Sequence, residues 1–128
     1  MVSPMSGDAI AMLQSAVRSF LEEVPALEPM KVVVGVDLHA RGDTQQFRIE
    51  MPGVKVTRDI GTDARIRIDM RRDFFNAMVE NGAKVADWRE AFTYGKAKAT
   101  GVEQYLRLIE QVVDKAEERQ RTRRARSH

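Results

Sequence analysis

Side chains able to perform chemistry are few and poorly spaced. The chain has two histidines, His39 and His128, and no cysteine. Thiolate nucleophiles, thiolate metal sites and disulfides are therefore excluded, and a multi-histidine metal site lacks ligands. A Ser-His-Asp relay needs a histidine held between a hydroxyl and a carboxylate. His39 flanks an expected hairpin turn and His128 ends the chain, so His39 reads as an ordinary surface residue. Gly95-Lys96 resembles the end of a phosphate-binding loop, but Glu90 replaces its earlier glycine and Ala97 its following hydroxyl. No nucleophile elbow, dinucleotide fingerprint or calcium loop occurs. No catalytic residue, metal ligand or cofactor is assigned, and the expectation is a protein that is not an enzyme.

Arg41-Gly42-Asp43 spells an adhesion tripeptide, but no secretory signal precedes it, and its plain reading is a turn around Gly42.

The elements that would position any site are clearer. Ser6 is a candidate N-cap for a helix whose stripe runs Ile10, Leu13, Val17, Phe20, Leu21 and Val24 before Pro25 stops it. Val32, Val34, Val36 and Leu38 then alternate with the residues between them, as do Phe47, Ile49 and Met51, predicting a hairpin about residues 41–43. Pro52-Gly53 turns the chain into a third strand at Val54 and Val56, and Gly61-Thr62-Asp63 leads to a fourth over 64–70. Phe74, Phe75, Met78 and Val79 mark a helix ending at Asn81-Gly82; Val85, Trp88 and Phe92 mark another before Gly95. A fifth strand over 96–100 and a final amphipathic helix over 102–116 complete the order. The fold class is α+β, a five-stranded, mostly antiparallel sheet with one apolar face covered by helices. Arg48, Glu50, Arg65, Arg67, Asp69, Lys96 and Lys98 are expected on the other face, in water.

The length of 128 residues suits a single domain over 1–116, with 117–128 as a basic, mobile tail. No uninterrupted apolar run is long enough to span a bilayer, and the N-terminus lacks a basic segment followed by an apolar one, so the expectation is a cytoplasmic protein. Net charge is only +2. The tail carries Arg119, Arg121, Arg123, Arg124 and Arg126. Its first reading is a solvated terminus and its second is transient contact with an anionic membrane; nucleic acid ranks last because no aromatics interleave with the arginines.

Whether Phe74, Phe75, Met78, Trp88 and Phe92 fill a dry core or line a pocket is not decided by spacing. Ala97 and Ala99 favour a pocket: a closing strand that turns two small residues toward the helices leaves room, unless Trp88 or Tyr105 occupies it.

The segment ARIRIDMRRDFFNAMVENGAKVADWREAFTYGKAKATG, from Ala64 to Gly101, resembles the core of the sterol carrier protein two family, with Ala91-Phe92, the Gly-Lys-x-Lys-x-x-Gly run from Gly95 and the closing Gly101 as its marks. The resemblance implies a twisted sheet covered by helices and a hydrophobic tunnel for fatty acids, acyl-CoA thioesters or sterols. Phe74, Phe75 and Met78 match the tunnel-lining helix. Tyr94 stands where glutamine is common, and Ala97 and Ala99 replace bulkier residues. The ligand-contact set is then Phe74, Phe75, Met78, Trp88, Phe92, Tyr94, Ala97 and Ala99, with Leu106, Ile109 and Val113 from the final helix, which serves as a lid. The function implied is non-enzymatic carriage of a hydrophobic small molecule. The alternative is an accessory protein that presents such a metabolite to a partner enzyme.

Overall fold

The alternation in the strands decides which side of the sheet is buried. A computed structural model describes residues 6–126, and the side chains of 9–123. Helix α1 (Ser6–Glu23) and a 3-10 turn at Pro25–Leu27 precede β1 (Val32–Ala40), β2 (Asp43–Met51), β3 (Lys55–Arg58) and β4 (Ile66–Arg71). Helices α2 (Arg72–Glu80) and α3 (Val85–Thr93), strand β5 (Ala97–Gly101) and helix α4 (Glu103–Arg126) follow. The side chain of Ser6, the expected cap, and all of His128 lie outside the described residues.

The sheet order is β3-β2-β1-β4-β5. β1 pairs with β2 through the two-residue turn Arg41-Gly42, and all pairings are antiparallel except β1 with β4. That parallel pair exists because β3 ends on one edge while β4 must enter beyond β1, so residues 59–65 cross the sheet. Val36, Leu38, Phe47, Ile49, Ile66, Met70 and Ala97 are buried on the helix side. Each fully buried aliphatic or aromatic side chain contributes about 1.5–3 kcal/mol. Helix α1 packs on β3 and α2, α2 on β1 and β4, α3 on β5, and α4 on β5 and the 3-10 turn. Phe75 and Trp88 meet between α2 and α3 with ring centroids 6.5 Å apart.

Two ties lock the helices together. The first backbone N–H of α3, from Val85, donates to Glu23 Oε2 at the end of α1 (3.0 Å), and Lys84 N–H donates to Asp87 Oδ2 (2.8 Å). Arg89 of α3 pairs with Glu117 and with Asp114 (2.6 Å) of α4, and Glu117 foremost raises its pKa above the ordinary guanidinium value.

Two expectations need correction. Helix α4 does not end at Ala116 but continues to Arg126. Its extension is built from Glu, Arg and Gln, good helix formers without an apolar stripe, and Arg89 anchors its start at Glu117. Nor is the second face simply wet. Residues 59–65 lie across it, fixed by Arg48 to both carboxylate oxygens of Asp63 (3.0 and 2.7 Å) and by Arg67 to the carbonyls of Ile60 and Gly61. Beneath that connection Asp37, only 8% exposed, accepts from Arg67 Nη1 at 2.7 Å and from Gln46 Nε2 at 3.3 Å.

Candidate ligand site

Of the residues assigned to ligand contact, four are buried: Phe75, Trp88, Ala97 and Val113. Phe74, Met78, Leu106 and Ile109 are partly buried and pack against the same core. Ala99 occupies the helix-facing side of β5, two residues beyond the sealed Ala97, yet it is exposed. Phe92 is 36% exposed, with Val102 and Leu108 also open on or beside α4. Tyr94 stands apart, 72% exposed at the C-terminal end of α3. Val34 and Ile68, on the inner face of the central strands, are only partly covered. The apolar layer is thus closed under α2 and the start of β5 and loose along the remainder of β5 and α4.

Gly101 ends that layer in a conformation only glycine adopts easily, with φ of +135°. A Cβ there would stand 2.2 Å from the carbonyl oxygen of Arg65. The same carbonyl accepts the Val102 N–H (2.8 Å), so the glycine lets β5 bend directly into α4.

Two concavities flank α2. One, of about 270 Å³, lies between α1, α2 and α3 and is walled by Ala16, Ser19, Glu23, Met78, Val79 and Trp88 among others. The other, of about 620 Å³, lies where β4 ends, α2 begins and β5 begins; its walls include Met70, Phe74, Gly95, Lys96 and Lys98. Phe74 and Met78 are one helical turn apart on α2, so each cleft receives one residue of the same partly buried stripe. At the first turn of α2, Arg72 donates to Asn76 (3.1 Å) and to Gln45, while its Nη2 is buried without a partner.

The larger cleft is bordered by charge. Asp73 accepts from Arg71 (3.1 and 3.2 Å) and from the Phe74 N–H (2.7 Å), and Arg71 foremost, with that N–H, holds the carboxyl below the usual aspartate range. The Lys96 ammonium sits over the Phe74 ring, 5.8 Å from its centroid. His39 stands at the surface as expected, its side chain 41% exposed, but it is tied to both neighbouring strands. Nδ1 meets Thr44 Oγ1 at 2.9 Å and Nε2 meets Asp69 Oδ1 at 2.5 Å, joining β2, β1 and β4. A hydroxyl, an imidazole and a carboxylate are therefore in sequence after all. The histidine count alone missed them because the partners come from neighbouring strands. The signal was present in the strand alternation, which puts Thr44, His39 and Asp69 on one face. Here the three serve to tie the strands.

Among the described residues no group of three or more acidic, histidine or cysteine side chains could hold a metal, and no helix is long and apolar enough to cross a membrane.

No family model and no curated protein matches the chain in sequence. Solved structures match it in fold. A sterol carrier protein 2-like 2 from Aedes aegypti superimposes with a TM-score of 0.56 over 84% of this chain and 96% of its own, at 18% identity. The sterol carrier protein domain 2 of Helicoverpa armigera gives 0.56 over 91% and 95%, at 17% identity. The sterol carrier protein 2 of Aedes aegypti in complex with the C16 fatty acid palmitate gives 0.52 over 85% and 94%, at 15% identity. Element order, the mixed sheet with its helical cover and these superpositions agree: the chain has the sterol carrier protein 2 fold.

Proposed function

We propose that the chain binds a hydrophobic small molecule, of the fatty acid, acyl-CoA or sterol class, between the sheet and the helices, and carries it without chemical change. The observation that carries this reading is the unequal closure of the apolar layer. Ala97 is sealed, whereas Ala99 on the same face is exposed, its cross-strand partner Ile68 is only partly buried, and Phe92 and Val102 are exposed as well. Covering such surface with a ligand is favourable by roughly 25 cal/mol per Å² of apolar area. Support also comes from a structure of this fold that holds palmitate. Phe74, Met78, Leu106 and Ile109, partly buried around this layer, are the residues best placed to adjust to a guest, Met78 through its flexible thioether. Loading requires a covering element to move, and α4 is proposed as that element because it closes the open half of the layer.

The test is native mass spectrometry of gently purified protein with organic extraction of any bound species, followed by titration with palmitate and with a sterol. A stoichiometric adduct identified as a lipid supports the reading. Protein that carries nothing and takes up neither probe defeats it.

A further inference from the structure

Strand β5 ends the sheet on one side, and its outer edge is uncovered. Val102 N–H donates to the Arg65 carbonyl (2.8 Å), and in an antiparallel pair the residues bonded across the ladder recur at every second position. Thr100 and Lys98, in register with Arg67 and Asp69, therefore direct their backbone groups to β4, while the N–H and C=O of Ala99 and Gly101 point away from the sheet. Among the described residues no helix or loop backbone bonds them. Every residue from Lys98 to Gly101 is exposed, whereas the opposite edge strand, β3, is packed against α1. An open row of backbone donors and acceptors is a template for one more strand.

The side chains along this edge select which strand that is. Lys98 projects from the face away from the helices, where its register partner Asp69 would ordinarily pair with it. Asp69 turns instead to His39 at 2.5 Å, and Asp73 is taken by Arg71. Lys98, and Lys96 two positions earlier, are thus exposed without a carboxylate partner among the described residues. A second copy of β5, laid antiparallel with its helices on the same side, would set lysines beside lysines, which like-charge repulsion opposes. On the helix side the edge offers only the small Ala99, with exposed Val102 just beyond Gly101.

We propose that the free edge of β5 is a docking site for an extended segment of a partner protein in which acidic residues alternate with small or β-branched ones. Main-chain hydrogen bonds to Ala99 and Gly101 extend the sheet, the acids meet Lys96 and Lys98, and the intervening side chains lie beside Ala99. The inference goes beyond the carrier reading, because it rests on backbone groups at the edge of the sheet and on charge outside the apolar layer.

The experiment uses the full chain, isotopically labelled for NMR, and two end-blocked peptides of about eight residues, glutamate alternating with valine and lysine alternating with valine. In the free protein the amides of Ala99 and Gly101 should exchange quickly with solvent and those of Lys98 and Thr100 slowly. The glutamate peptide is expected to bind at least about tenfold more tightly than the lysine peptide and to slow exchange at Ala99 and Gly101. Ala99→Pro removes an outward N–H and no bond of the β4 ladder, so the β4 resonances should hold their positions while affinity for the glutamate peptide falls at least about tenfold. The double variant Lys96→Gln, Lys98→Gln, at exposed positions, tests the charge without touching the backbone and should bind the two peptides equally. Absence of binding by the glutamate peptide, shifts confined to residues away from β5, equal affinities in the wild-type protein, or a preference that survives the double variant would each overturn the docking edge. Self-association of the wild-type protein through the Ala99 and Gly101 amides would assign the edge to a second copy and overturn the acidic partner.

Discussion

The guanidinium of Arg67 occupies the space above Gly35: a Cβ placed on that glycine would stand 2.8 Å from Arg67 Cζ. Arg67 is not free to yield, because Asp37 and the carbonyls of Ile60 and Gly61 hold it from two sides. Gly35 thus lets one arginine fasten the connection over 59–65 to the middle of the sheet. Gly35→Ala is expected to destabilise the protein by about 1–3 kcal/mol through overpacking. In a urea-denaturation cycle the penalty should be much smaller in an Arg67→Ala background, where the clash is gone. Additive costs would mean that Gly35 matters for some other reason.

The two alanines of β5 should respond oppositely to enlargement. Ala97 is 1% exposed, so Ala97→Phe forces large side chains apart and should cost about 1–3 kcal/mol or more. Ala99 is exposed, so Ala99→Phe should change stability by no more than about 0.5 kcal/mol while weakening lipid uptake. Thermal melts and a fatty acid titration read both effects. Normal uptake by a folded Ala99→Phe protein would place the ligand elsewhere.

Acid should loosen the crossing connection. Arg48 holds the Asp63 carboxyl below the usual aspartate range. A carboxyl with a lowered folded-state pKa contributes its stabilisation above the unfolded value, about 3.9, and loses it as pH falls through the folded value. The contact is thus complete at neutral pH and fades below about pH 4, less sharply in high salt because the pair is exposed. Amide exchange at residues 59–65, followed by NMR on acidification, should rise before the sheet amides respond. Asp63→Asn should show fast exchange there already at neutral pH, and an unchanged acid response in that variant would refute the assignment.

Arg89 should govern how readily α4 leaves the sheet. Its pairs with Asp114 and Glu117 are about half exposed, so Arg89→Ala is expected to cost only about 0.5–1 kcal/mol in global stability. If α4 opens for loading, the same change should accelerate ligand dissociation several-fold in stopped-flow displacement and raise amide exchange along α4. Unaltered dissociation with faster α4 exchange would separate the helix from the entry route.

Much of this arrangement is legible in residue order. Period-two runs place Val36, Leu38, Phe47 and Ile49 on the covered face, and helical spacing finds α2 and α3 around Phe75 and Trp88. What escapes is whatever depends on partners distant in sequence. Asp37 and Arg67 are 30 residues apart, and their pairing exists only once β4 lies beside β1. His39 looks isolated until that parallel pairing brings Asp69 alongside. The extent of α4 escapes for another reason: beyond Ala116 the apolar stripe fades while helix propensity persists, so hydrophobic spacing does not mark its end. For the ligand site, residue types indicate which side chains are apolar, but Ala97 and Ala99, alike in sequence, differ in exposure because of where α3 and α4 happen to cover β5.

The parallel pairing of β1 with β4 also sets the tempo of assembly. The β1–β2 hairpin can close early around its two-residue turn, since its contacts are local. β4 finds β1 only after the intervening chain has been gathered, a loop-closure cost met before its contacts give any return. Docking of β4 should therefore be the slow event, with β5 following on its free side. Until then the open flank of β1 offers unpaired backbone groups to other chains, making the interval before docking the period of greatest self-association during refolding.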